Sequence, residues 1–178
     1  MPAPLKIALI TLVLTAAGYD FRFRRIPNWL NLSGVVIGLG LNTMLYREHG
    51  LNMAVLGLLI PLLVYIPLYF LRAMGAGDAK LMAAVGSIAG PQNWIIILFC
   101  TALAGGAIAL AVAAKKARLR QTLGNTAVLA GDLMRFHSPA ANHPELDVRS
   151  PRSVRLPHGV SIAVGSMISL IFPLLSAH

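Results

Sequence analysis

Residues 51–71, "LNMAVLGLLIPLLVYIPLYFL", run from Leu51 to Leu71 without one charged side chain. A helix that crosses a bilayer needs roughly 20 predominantly apolar residues, so this stretch reads as a membrane span. Working outward, comparable runs occupy Leu5–Ala17, Trp29–Leu45, Trp94–Ala114 and Val160–Leu175, with a shorter one from Ala79 to Gly90. Composition agrees. The 178 residues are 57% hydrophobic and 12% charged, where a water-soluble domain carries about 25% charge. The expected fold is therefore all-α: a polytopic membrane protein, a bundle of six transmembrane helices forming one domain over residues 1–178.

Charge fixes the expected orientation. Only Lys6 precedes the first run, whereas Arg22, Arg24 and Arg25 follow it, the reverse of a cleavable signal peptide. The positive-inside rule places the N-terminus outside and the "FRFRR" loop inside. Six crossings then leave Lys6 and Arg47 outside and the other 13 of the 15 Lys and Arg inside. The net charge of +9 is accounted for by orientation and anionic lipid, with no nucleic-acid partner required.

Cys100 is the single cysteine, which rules out a disulfide framework and a paired CxxC metal site within this sequence. His137 and His143 lie in a Pro-containing polar stretch without ligand spacing. Residues 115–158 differ from the rest, with eight Lys or Arg against Asp132, Glu145 and Asp147. They read as a basic cytoplasmic loop, whose part 119–136 could form an amphipathic interfacial helix.

Six acidic residues exist in all. Glu48 falls in an outer turn and three fall in the long loop, leaving Asp20 and Asp78. Leu5 to Asp20 rises about 22 Å along a helix and Gly90 back to Asp78 about 18 Å, against a hydrocarbon thickness of roughly 30 Å. Both carboxylates sit near the inner interface, where ionisable groups face a bundle interior or a water-filled cavity. Each also has a structural alternative: Asp20 pairing with Arg22 or Arg24, Asp78 as a helix N-cap. Two facing carboxylates do not both ionise cheaply, so one can hold a proton while the other activates water. Gly75 and Gly77 lack side-chain bulk and permit close approach of a second backbone beside Asp78. Lys80 follows and reads as a snorkelling anchor.

Three stretches together resemble the type IV prepilin peptidases, a family of GxGD membrane aspartyl proteases. "DFRFRRIPNWLNL" is similar to the family's first motif, an aspartate ending a helix before a basic loop and Ile26, Pro27 and Asn28. "GAGDAKLMAAVG" resembles the second, with Gly75, Gly77, Asp78 and Lys80. "LPHGVSIAVG" resembles the motif opening the last helix, with Pro157 and Gly159; His158 stands where the family more often has an aromatic residue. "GYD" at 18–20 also resembles the presenilin-like branch, but the "IPN" loop and the six-helix plan favour the prepilin branch.

The resemblance implies that Asp20 and Asp78 are a catalytic dyad, with the other named residues supporting the site. It implies cleavage of a basic leader from a prepilin at the cytoplasmic face of the bacterial inner membrane, with no cofactor and no metal. Larger members carry a cytoplasmic insertion with paired CxxC motifs and also methylate the new N-terminus. This chain resembles the short, peptidase-only members associated with tight-adherence (Flp) pili and secretion, so no methyltransferase activity is expected. Expected partners are the pilin precursor and membrane lipid, with the oligomeric state open. Two other classes fit parts of the pattern: a small proton-coupled transporter using the same carboxylates, and a purely structural membrane subunit, in which both aspartates would tolerate Asn.

Overall fold

The computed structural model describes residues 1–71, 74–115 and 158–175, and every element in it is a helix. They are α1 (Ala3–Phe23), α2 (Asn28–Phe70), α3 (Ala76–Lys115) and α4 (His158–Leu175). Arg72, Pro157 and the expected interfacial helix at 119–136 lie outside the described residues, as does all of the basic loop but its two ends. Three stretches are long and apolar enough to cross a membrane, Ala3–Phe23, Asn28–Phe70 and Ala76–Val112, and His158–Ile171 is a shorter apolar helix. The polarity is inverted relative to a soluble protein. Leu63 and Leu103 are each 76% exposed while Asn31, Asn42, Ser87, Thr101, Ser161 and Ser166 are buried, the distribution a lipid-facing bundle requires. This is a helical membrane protein.

Helix α1 runs beyond the apolar stretch Leu5–Ala17 to Phe23, so Asp20 lies inside it. Arg24 then takes a left-handed conformation and its N–H closes the helix on the Asp20 carbonyl at 2.9 Å. Pro27 stands just outside α2 in an extended conformation; lacking an N–H, it can begin a helix but not continue one.

At 43 residues α2 is too long for one crossing, since about 64 Å of helix would be twice the hydrocarbon thickness. It breaks at Arg47, whose φ of 55° and ψ of −136° are not helical. Gly50 is pressed against the Asn42 carbonyl, although residues eight apart in an unbroken helix are separated by about 12 Å. The chain therefore doubles back, giving arms 28–46 and 48–70. Helix α3 breaks likewise at Gly90, with φ 76° and ψ 166°, just before Pro91, giving arms 76–89 and 91–115. Pro61 and Pro67 sit inside α2 without a non-helical residue beside them.

The shortest apolar run becomes the centre of the molecule. In the arm 76–89, Ala79 and every residue from Leu81 to Ala89 are buried, packed among Leu9, Val13 and Ala16 of α1 and Ile162 of α4. Small residues let backbones close on it. Gly57 and Gly86 each lie against the other's carbonyl oxygen, and the Gly57 carbonyl is the one that Pro61, four residues on, cannot bond. Such Cα–H···O contacts suit close helix pairs in membranes. Nearby, the Asn42 amide donates to the carbonyls of Gly38 (2.9 Å), Ser87 (3.0 Å) and Ile88 (3.2 Å). Pro91 has no N–H for Ser87, and the turn at Gly90 interrupts the ladder, so Asn42 supplies donors where the helix lost them.

Candidate active site

Asp20 is brought to the head of α4 by packing of α1 against that helix. It is 8% exposed, and its carboxylate Oδ2 accepts the Gly159 N–H at 2.7 Å. The first N–H groups of a helix have no partner within it and carry the positive end of its dipole, so α4 begins where a carboxylate can satisfy it. Gly159 is required by space: an added β-carbon would sit 3.0 Å from both Cβ and Oδ2 of Asp20.

Asp78 lies in the first turn of α3, half-buried, as the third residue of a helix that begins at Ala76. It is therefore not the N-cap. Its carboxylate reaches back to the main chain of Gly75, as the third-position acid of a capping box does. A β-carbon on Gly75 would stand 3.1 Å from Asp78 Oδ2. Asp78 lies within electrostatic reach of both Asp20 and His158, so residues from α1, α3 and α4 converge on one place. Tyr65 joins them from α2. It is buried, its ring packs edge-on to Trp94 at 6.3 Å between centroids, and its phenol lies within electrostatic reach of Asp78.

The remaining sequence-predicted residues frame this cluster. Ile26 is the backbone that approaches Gly77, with its Cβ 3.5 Å from where a glycine-replacing β-carbon would be. That is ordinary contact, and neither Gly75 nor Gly77 has positive φ, so the glycines serve by lacking bulk and not by unusual conformation. Lys80 is exposed and donates to Asn28 Oδ1 at 3.0 Å, tying the start of α3 to the start of α2. Pro27 sets the entry to α2 that places Asn28 there.

Tyr65 was not singled out by sequence because nothing distinguishes it from other aromatics of an apolar run. Among the described residues no group of three or more His, Cys, Asp or Glu is placed to hold a metal ion. The arrangement offers two carboxylates from separate helices, each met by a main-chain donor, at the end of a buried helix. It can polarise a water and protonate a carbonyl oxygen in the same place.

A family model described as the type IV leader peptidase family matches residues 7–110, a span that contains Asp20, Ile26, Pro27, Asn28 and the Gly75–Lys80 stretch. No curated protein and no solved structure matches the chain.

Proposed function

The chain belongs to the type IV leader peptidase family, and on that premise we propose that Asp20 and Asp78 are the general acid and base with which it removes the leader from a prepilin. The observation that carries this is the convergence of the two carboxylates, 58 positions apart in sequence, around the head of α4, with Gly159 holding one of them. The ionised member of the pair takes a proton from water as the oxygen attacks the scissile carbonyl. The protonated member gives its proton to the carbonyl oxygen, and collapse of the tetrahedral intermediate passes a proton to the departing amine. The pair titrates jointly, so neither role is fixed to one residue.

Around that core we read one domain with six crossings, supported by the breaks at Arg47 and Gly90 that divide the two long helices. The charge asymmetry of 13 basic residues on one side supports opening of the site to the cytoplasm, in a bacterial inner membrane. The single cysteine among these residues, which leaves no paired CxxC motif between the helices, supports the reading of a peptidase without methyltransferase activity, of the tight-adherence (Flp) pilus type.

The test is processing of a pilin precursor, followed as a gel shift in membranes holding wild type, Asp20→Asn or Asp78→Asn at matched expression. Cleavage by wild type and by neither variant is expected. Full cleavage with either aspartate replaced overturns the dyad, and the two carboxylates revert to an interfacial charge and a capping residue.

A further inference from the structure

Asn31 is 4% exposed, and neither its Oδ1 nor its Nδ2 has a hydrogen-bond partner among the described residues. Buried polar side chains are almost always paired, because an unmet carboxamide loses its hydration without replacement. Other buried polar atoms share that condition, Trp94 Nε1, Thr101 Oγ1 and Ser166 Oγ. Asn31 differs from them in presenting its unmet donor and acceptor on two separate atoms, as a peptide group does, and in where it stands.

Its level follows from the packing register. Gly34 meets Ala84, and Gly38 meets Ser87 and Ile88, so the arms 28–46 and 76–89 run parallel with an offset of about 50 positions. Asn31 then falls level with Leu81, one turn beyond Asp78, in keeping with the Asn28–Lys80 bond at the mouth. On the other side Gly34 also meets Leu12, and α1 and α2 are antiparallel across a short loop. That puts Asn31 level with Thr15 and Ala16, one turn beyond Asp20. An unmet carboxamide thus sits a single turn deeper in the bundle than either carboxylate.

One helical turn is about 5.4 Å, close to two residues of extended chain at about 3.3 Å each. A carboxamide presents the donor and acceptor that a peptide group of an extended strand needs. We propose that Asn31 is a substrate-binding residue that pairs with the main chain of the precursor on the mature side of the cut, about two residues beyond the scissile bond. It holds that stretch out of its helix so that the bond can be attacked. The assignment rests on the dyad reading above, which supplies the point from which the distance is measured.

The experiment uses the full-length protein in detergent with a synthetic precursor peptide spanning the cut, comparing wild type, Asn31→Leu, Asn31→Ala and Asp78→Asn. The readouts are kcat, KM and melting temperature. For Asn31→Leu we expect kcat/KM to fall about 10-fold to 100-fold while the melting temperature equals or exceeds that of wild type, since an unpaired polar group is replaced by an apolar one. A second precursor, with an ester in place of the amide N–H at the paired position, should be cut about 10-fold less well by wild type and no worse than the amide peptide by Asn31→Leu. The inference is overturned if both Asn31 variants cleave within about twofold of wild type while Asp78→Asn is inactive. It is equally overturned if cleavage falls only in step with the melting temperature, or if the ester costs both enzymes alike. Normal cleavage by Asp78→Asn would instead bring down the dyad, and with it the reference point for Asn31.

Discussion

Two asparagines on one face of α2 are treated in opposite ways. Asn42 lies toward the break at Arg47 and gives its amide to three main-chain carbonyls. Asn31, three turns nearer the carboxylates, gives its amide to none of the described residues. Both are buried and both face the central arm of α3. The difference teaches two uses of a buried carboxamide. The Asn42 amide answers the Ser87 carbonyl, which Pro91 leaves without a donor, and the Ile88 carbonyl beside the turn at Gly90. The Asn31 carboxamide is left for the precursor main chain proposed above.

The largest effect that would sharpen this contrast belongs to the carboxylates. Asp20→Asn or Asp78→Asn should lower precursor cleavage by about 10³-fold or more, with helical content by circular dichroism unchanged. Gly159→Ala comes next, because its methyl would stand 3.0 Å from Asp20 Oδ2 and must displace the carboxylate it now holds. Misplacement of a reacting group by about 1 Å costs on the order of 10²-fold, measurable as kcat with KM little changed. At the other end, Asn42→Ala should lower stability by about 1–3 kcal/mol by leaving the Ser87 and Ile88 carbonyls unpaired. Cleavage per folded molecule should stay near wild type; a specific loss of kcat there would break the contrast. The smallest effect is expected at Gly77→Ala, where an added methyl meets Ile26 at 3.5 Å, and kinetic constants should stay within about twofold.

The membrane class was legible because exclusion of charge over some twenty residues is a local property of the chain. The two aspartates were legible for the same reason: in so apolar a sequence a carboxylate at membrane depth stands out. Asparagines do not, being uncharged, so Asn31 and Asn42 passed unremarked, although Asn31, Gly34, Gly38 and Asn42 recur at the three- and four-residue spacing of one helix face. That Asp78 is the third residue of its helix and not the cap depends on where α3 begins, and boundaries are set by tertiary contacts that a sequence does not display. The breaks fall at Arg47 and Gly90, where a charge and a Gly-Pro pair interrupt the apolar runs. The central position of the arm 76–89 was hidden, because a helix buried in protein and one bathed in lipid have the same apolar composition.

That central arm has a consequence for how the carboxylate of Asp78 is held. Fourteen residues give about 21 Å of helix, short of the roughly 30 Å of hydrocarbon, and from Leu81 to Ala89 no residue of it meets the bilayer. The arm that carries Asp78 is therefore held by its neighbours on every side, as a wedge is held in an arch, and a void opened in α1, α2 or α4 against it is felt at the carboxylate without any change near the site.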